Sequence, residues 1–453
     1  MGTSIGQTKT SKPGQYGIEK SLGLSWFNWG YWKTLRKLRA ATHPEVAFDG
    51  SALRFAGYPF EPASVFPNGT VEKDQVAEVN VGGLCQLRLE NGDILFVPWS
   101  GKAAVIAFIN QNDVRVENRS SVWGALLDPF LDTWEEQGTI DAQFAWLARL
   151  GLDRDTVDRW RREVAVAMMA YNFGTNLWEW TSLDLYDVLV AQRAHLSRTA
   201  FAAFYSRAIR LAAVDQVSPV WKPSADTLAG ALYTVLLEWY PREKGGAVKD
   251  FRKRWDERRE HIERLRSKLA AELTSAYTQP HRRYHTLAHI DKCLDELTTV
   301  WNYAVRLNEV RWALLFHDAV YDTQRQDNEA RSADWACSVM DQLECPEDAK
   351  ARVRAMILAT AHSSEPRTPD EALLLDIDIS ILGADDAAFD EYDRSVRAEY
   401  SWVPEEGYRR ARAKVLESFI GRERLYHTAP YRSRCEGRAR TNVERALARL
   451  RGS

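Results

Sequence analysis

His281-Arg282-Arg283-Tyr284-His285-Thr286-Leu287-Ala288-His289-Ile290, followed about one helix later by Phe316-His317-Asp318-Ala319-Val320-Tyr321-Asp322, is the part of this chain whose reading decides the fold. The spacing predicts an opening helix with His285 and His289, at i and i+4, on one face. At about 100° per residue, Leu287, Ile290, Leu294, Leu297 and Trp301 gather around another direction, so both imidazoles are expected off the apolar stripe. A pair of histidines so placed lines a surface or a site.

His317-Asp318 closes the strongly apolar run Trp312–Phe316. A carboxylate there needs a partner, because an unpaired buried charge costs several kcal/mol, and a divalent cation is one such partner. Working outward, His362 stands in Thr360-Ala361-His362-Ser363, and Asp376 and Asp378 are embedded in Leu375-Asp376-Ile377-Asp378-Ile379-Ser380-Ile381-Leu382-Gly383. Six of the nine histidines lie between 261 and 362, so the chemistry is expected in the C-terminal part. Imidazole nitrogens with carboxylate oxygens suit Mn²⁺, Fe²⁺, Co²⁺, Ni²⁺ or Zn²⁺ better than a Ca²⁺ cage of oxygens alone, and Mg²⁺ stays among the candidates.

The ordered series His289 (or His285), His317-Asp318 and Asp378 resembles the H…HD…D signature of the HD superfamily of metal-dependent phosphohydrolases. The likeness extends to Arg283-Tyr284-His285-x-x-x-His289, Asp327-Asn328-Glu329-x-x-Ser332-Ala333, Asp376-x-Asp378-x-x-Ile381-Leu382-Gly383 and Arg397-x-Glu399-Tyr400, over roughly residues 260–450. It implies an all-α helical domain holding a divalent cation through His289, His317, Asp318 and Asp378. The first ligand falls to His285 or His289, with His289 favoured. The last falls to Asp376 or Asp378, with the phase of the following Ile-Leu-Gly favouring Asp378. The resemblance also implies hydrolysis of a phosphoester or phosphoanhydride, for which a bound cation activates water and neutralises phosphoryl charge.

On that reading Asp322, Glu329 and His285 are the expected proton-handling groups. Arg283, Arg397 and Arg412 are the expected phosphate contacts, since a guanidinium binds phosphate bidentately, with His362 beside the substrate or on a second ion; one ion is favoured. The expected substrate is a nucleotide or another small phosphorylated metabolite. The alternative is a nucleotide-sensing or scaffold protein that uses the fold without turnover.

The rest of the chain reads differently. Residues 1–42 are expected to form a loose arm and an aromatic helix carrying Trp26, Trp29 and Trp32. Residues 43–115 read as a small antiparallel β unit, with turns at Asp49-Gly50 and Asn91-Gly92 and a closing helix near Lys102–Asn110. There Leu87 and Leu89 alternate with Gln86, Arg88 and Glu90, the pattern of a sheet with one wet face. Residues 116–245 read as a Trp-rich helical layer and linker, and 246–453 as the metal domain, with Lys249–Ser453 expected to keep metal and chemistry alone. The fold class is therefore α+β, predominantly α-helical.

The 453 residues, 45% hydrophobic and 27% charged, exclude collagenous and largely disordered chains. A net charge of −3 argues against a nucleic-acid coat, and the N-terminal half, with only His43 and His195, suits a protein partner or self-association. The five cysteines form no C-x-x-C pair, and no apolar run approaches the roughly 18 residues a membrane span needs, so cytoplasmic residence is expected. Phosphate-loop, dinucleotide-turn and nucleophile-elbow motifs are absent from the sequence.

Overall fold

The computed structural model describes residues 44–82, 84–130, 137–175, 183–215, 227–239 and 251–452. The expected arm and aromatic helix of residues 1–42, the linker around 241–246, and Trp134, Trp178 and Trp180 lie outside the described residues. The chain is α+β and mostly helical. Contacts divide it into two compact units, one drawn from residues 1–101 and 115–219, the other from 102–114 and 220–453. Among the described residues no helix is long and apolar enough to cross a membrane.

The first unit opens with two three-stranded antiparallel sheets. One joins β1 (Glu45–Phe48), β2 (Leu53–Ala56) and β3 (Asn68–Val71); the other joins β4 (Val76–Asn80), β5 (Cys85–Leu89) and β6 (Ile94–Val97). The hairpins turn at Gly50 and Gly92, whose φ of +96° and +85° suits glycine. Phe60 packs its ring among Phe96, Tyr186, Phe201 and Tyr205 in an aromatic core.

The expected wet face of β5 is covered. Arg88 donates to Asp215 Oδ2 at 2.8 Å and to Ala212 O at 3.1 Å, and Gln86 Nε2 lies 3.4 Å from Asp184 Oδ2. Polar residues at alternate positions mark a buried ion-pair layer here, which alternation alone cannot separate from solvent exposure. Trp123, buried, donates from Nε1 to Ala208 O at 3.1 Å and meets Trp160 edge to face.

The second unit begins with a helix from far earlier in the chain. The helix expected to close the β unit is present as α1 (Lys102–Asn112), but it packs with the C-terminal residues. Numbering from there, α2 to α6 (Val122–Leu127, Gln137–Arg149, Arg154–Thr175, Leu185–His195, Arg198–Ala212) belong to the first unit. The second unit continues with α7 (Leu228–Trp239), α8 (Phe251–Tyr277), α9 (Leu287–Val300), α10 (Leu307–Phe316), α11 (Asn328–Gln342) and α12 (Glu347–Ala359). It ends with α13 (Pro369–Asp378), α14 (Asp386–Glu399), α15 (Glu405–Ile420) and α16 (Ala429–Arg451).

The centre of this unit is α10. Every residue from Glu309 to Phe316 is buried, because α7, α9, α11, α12 and α13 surround it, so it carries no polar stripe. Its buried Glu309 is matched by Arg352, whose Nε and Nη2 donate to the two carboxylate oxygens at 2.7 and 2.8 Å. Burial of each large side chain on α10 stabilises the unit by roughly 1.5–3 kcal/mol. This rigid rod delivers His317 at its C-terminal end.

Candidate metal centre

Three helices bring four ligand atoms together. His289 lies in the first turn of α9, His317 caps the C-terminus of α10 with Asp318 directly after it, and Asp378 is the last residue of α13. One ligand atom from each of the four lies within 4.8 Å of every other. His289 Nε2 is 3.1 Å from His317 Nε2, 3.7 Å from Asp318 Oδ2 and 3.4 Å from Asp378 Oδ1. His317 Nε2 is 3.1 Å from Asp318 Oδ2 and 3.5 Å from Asp378 Oδ1.

These separations test whether an ion fits. Ligands about 2.1 Å from a cation stand about 3.0 Å apart at right angles and about 3.4 Å apart at tetrahedral angles, so the measured edges match one coordination sphere. Two neutral imidazoles and two carboxylates give the formal charge a divalent cation needs. Without a cation, two half-buried carboxylates this close would repel each other. The cluster can hold a metal ion.

Local contacts fix the ligand atoms. His317 Nδ1 donates to Leu314 O at 2.8 Å, taking a carbonyl left open at the end of α10 and turning Nε2 toward the cluster. Burial disfavours the charged form of Asp318 and Asp378, but hydrogen bonds and charge from the neighbouring imidazoles outweigh it and hold both below the usual carboxylate range. Burial lowers the pKa of His289, whereas at His317 the Asp318 and Asp378 carboxylates outweigh burial and raise it.

Asp376, two residues before the ligand, is turned away. Its carboxylate accepts the backbone N–H of His427 at 2.9 Å and of Thr428 at 2.7 Å, plus the Thr428 hydroxyl at 2.6 Å, at the start of α16. Burial pushes its pKa up to about 7. The Ile-Leu-Gly that follows turns sharply under α16, and a Cβ at Gly383 would lie 2.6 Å from Cys435 Cβ. Only glycine fits that approach.

The predicted opening helix starts later than its spacing suggests. α9 begins at Leu287, so His285 sits in the preceding loop and the i,i+4 face argument does not apply to it. His289 is itself buried beside Ile290 and Cys293, not off the apolar side of the helix. The physical cause is Glu399. Its Oε1 accepts the N–H groups of Arg283, Tyr284 and His285 at 2.7, 2.8 and 3.0 Å, and its Oε2 meets His285 Nδ1 at 2.7 Å and the Tyr321 hydroxyl at 2.8 Å.

Glu399 is the functional residue that motif reading passed over as a ligand or base, although it lies in the Arg397-x-Glu399-Tyr400 stretch; a charged residue only 4% exposed is its signature. Arg282 has a comparable part. Buried, it donates to His285 O, Asp318 O and Ala319 O at 3.0, 2.8 and 3.1 Å, and so ties the loop before α9 to the loop after α10.

The remaining expected residues scatter. Asp322 is exposed, and its Oδ1 accepts the Gln324 N–H at 2.9 Å in a local turn. Glu329 is half-buried in the first turn of α11. Arg397 donates to Glu405, Tyr400 O and Val403 O, and Arg412 is buried against Asp393 and the Tyr392 ring. Arg283 is exposed, with Nη1 3.4 Å from Arg282 O. His362 Nε2 lies 3.0 Å from Asp378 Oδ2, the carboxylate oxygen opposite the cluster. Comparison of the chain with known protein families, characterised proteins and solved structures finds no match.

Proposed function

We propose that the chain is a divalent-metal-dependent phosphohydrolase of the HD superfamily, acting on a nucleotide or another small phosphorylated metabolite. The observation that carries this reading is the convergence of His289, His317, Asp318 and Asp378, in the order of the H…HD…D signature, on one ion-sized centre. The N-terminal region would then regulate access or dock a partner.

A divalent cation held there would supply an acidic water and neutralise charge on the phosphoryl oxygens. The chain's own groups do the rest. His289 and His317 present Nε2, and Asp318 and Asp378 present one oxygen each. Glu399 takes Nδ1 of His285 and fixes the ring, so Nε2 is the atom at which His285 passes a proton to the leaving group. Asp322 fits that task less well, because it is exposed and committed to its turn. Arg283, the exposed guanidinium of the three expected phosphate contacts, is the one free to reorient toward a substrate phosphate.

The test is metal analysis of full-length protein purified without chelator, followed by a phosphate- and pyrophosphate-release screen over nucleotides and sugar phosphates with Mn²⁺, Co²⁺, Ni²⁺ and Mg²⁺. Metal-dependent release from at least one compound is expected. Metal-loaded protein that binds nucleotides and turns over none of them refutes the enzyme reading in favour of a sensor.

A further inference from the structure

We infer that His362 is a positioning residue for Asp378, holding the carboxylate so that one oxygen faces the ion site; this rests on the metal reading of the cluster. Asp378 divides its two oxygens. Oδ1 stands 3.4 Å from His289 Nε2 and 3.5 Å from His317 Nε2, while Oδ2 stands 3.0 Å from His362 Nε2. A hydrogen bond on the outer oxygen stops the carboxylate rotating about its own axis and swinging away from the ion. That is how an outer partner orients a metal-bound group.

The backbone at His362 shows that the contact is a specified one. Its φ is +50°, left-handed and unfavourable for a residue with a Cβ. Among the described residues its Nδ1 is buried with no hydrogen-bond partner, a second local cost. Both persist because surrounding groups impose them. The His362 N–H donates to Ala359 O at 2.9 Å just past α12, its carbonyl accepts from Arg422 Nη2 at 3.2 Å, and its ring meets Phe419 edge to face at 5.6 Å. Strain of this kind, aimed at a candidate ligand, is the mark of a functional constraint rather than of optimal packing.

Glycine separates the two roles, since it adopts a left-handed φ freely and removes the imidazole. The experiment titrates Co²⁺ and Mn²⁺ into full-length metal-free protein, wild type against His362→Gly and His362→Gln, reading the dissociation constant, the visible Co²⁺ absorption and the thermal midpoint of the metal-free form. His362→Gly is expected to bind both ions about 10–100-fold more weakly with an altered Co²⁺ spectrum. Its metal-free midpoint should stay level or rise. His362→Gln, whose amide N–H reaches about as far as Nε2, should recover most of the affinity.

Unchanged Co²⁺ affinity and spectrum in His362→Gly, in a wild type that does bind, overturns the positioning role and leaves the metal centre standing. Equal affinity losses in both variants, tracking a fall in metal-free stability, also overturn it, since that is the behaviour of a structural residue. Wild-type protein that takes up neither ion overturns the metal centre and this inference together.

Discussion

Asn110 Oδ1 accepts the backbone N–H of Ala429 at 3.1 Å, a hydrogen bond between residues 319 positions apart. The bond serves the first turn of α16, where Asp376 also accepts two backbone N–H groups, and α1 packs directly on α13, the helix that ends in Asp378. Asp113, just past α1, pairs with Arg432 and Arg424. A piece of chain from the β-rich half is therefore part of the scaffold behind the fourth ligand.

The first prediction follows. Asn110→Ala in the full chain should lower unfolding stability by about 1 kcal/mol, the usual worth of one hydrogen bond to a helix N-terminus. Denaturant titration checks it. A Lys249–Ser453 fragment, sufficient on the sequence reading, lacks α1 altogether and should melt well below a fragment co-expressed with residues 102–114. Equal midpoints would show that α1 is dispensable.

A second prediction concerns the ligands. Added Mn²⁺ should raise the thermal midpoint of the wild type, because an ion that binds only the folded state stabilises it by about 2.7 kcal/mol at a hundredfold excess over Kd. Asp318→Ala and Asp378→Asn should abolish that response and also lower the midpoint of the metal-free protein, since each removes a carboxylate that the neighbouring imidazoles stabilise. A retained Mn²⁺ shift in either variant would remove that residue from the ligand set.

Sequence reading reached His317, Asp318 and the Asp376/Asp378 segment because metal-competent side chains embedded in apolar runs are conspicuous. The choice of His289 and Asp378 came with the resemblance to the H…HD…D signature, and the burial of His289 ran against the expected helix face. Asp49-Gly50 and Asn91-Gly92 were equally legible, since their turn geometry is local. What escaped is long-range. His285 leaves the helix only because Glu399, 114 residues later, captures its N–H and those of its two neighbours. Arg88 and Gln86 read as solvent-facing until Asp215 and Asp184, about a hundred residues on, supply their partners. The allegiance of α1 depends on Ala429 and Arg432, which no local pattern announces.

The third prediction uses Glu399. Burial alone would raise its pKa, but the His285 hydrogen bond and charge, with backbone N–H groups, bring it from 4.5 to about 2. A carboxyl with a depressed folded-state pKa contributes stability that is fully present above its unfolded value and is lost as pH falls through the folded one. The loss should run between about pH 4.5 and about pH 2, and amount to roughly 3 kcal/mol. Glu399→Gln should flatten the stability curve across that window and cost about 2–3 kcal/mol at neutral pH. A variant whose acid limb superimposes on the wild type would show that the carboxylate is not held ionised.

The last prediction separates three arginines that look alike in sequence. Arg397 donates to two backbone carbonyls and to Glu405 while its guanidinium covers the Tyr408 ring, and Arg412 is buried on Asp393 and Tyr392. Lysine cannot reproduce either planar, multi-donor arrangement, so Arg397→Lys and Arg412→Lys should lower stability by about 1–3 kcal/mol. Arg283 is different. Its backbone N–H is fixed by Glu399 while its side chain is exposed and makes only a long contact, 3.4 Å, to Arg282 O. Arg283→Lys should leave the unfolding midpoint unchanged and raise KM for a phosphorylated substrate several-fold with little change in kcat, because the charge remains and the bidentate fork is lost. A changed midpoint with an unchanged KM would reverse the assignment and make Arg283 structural.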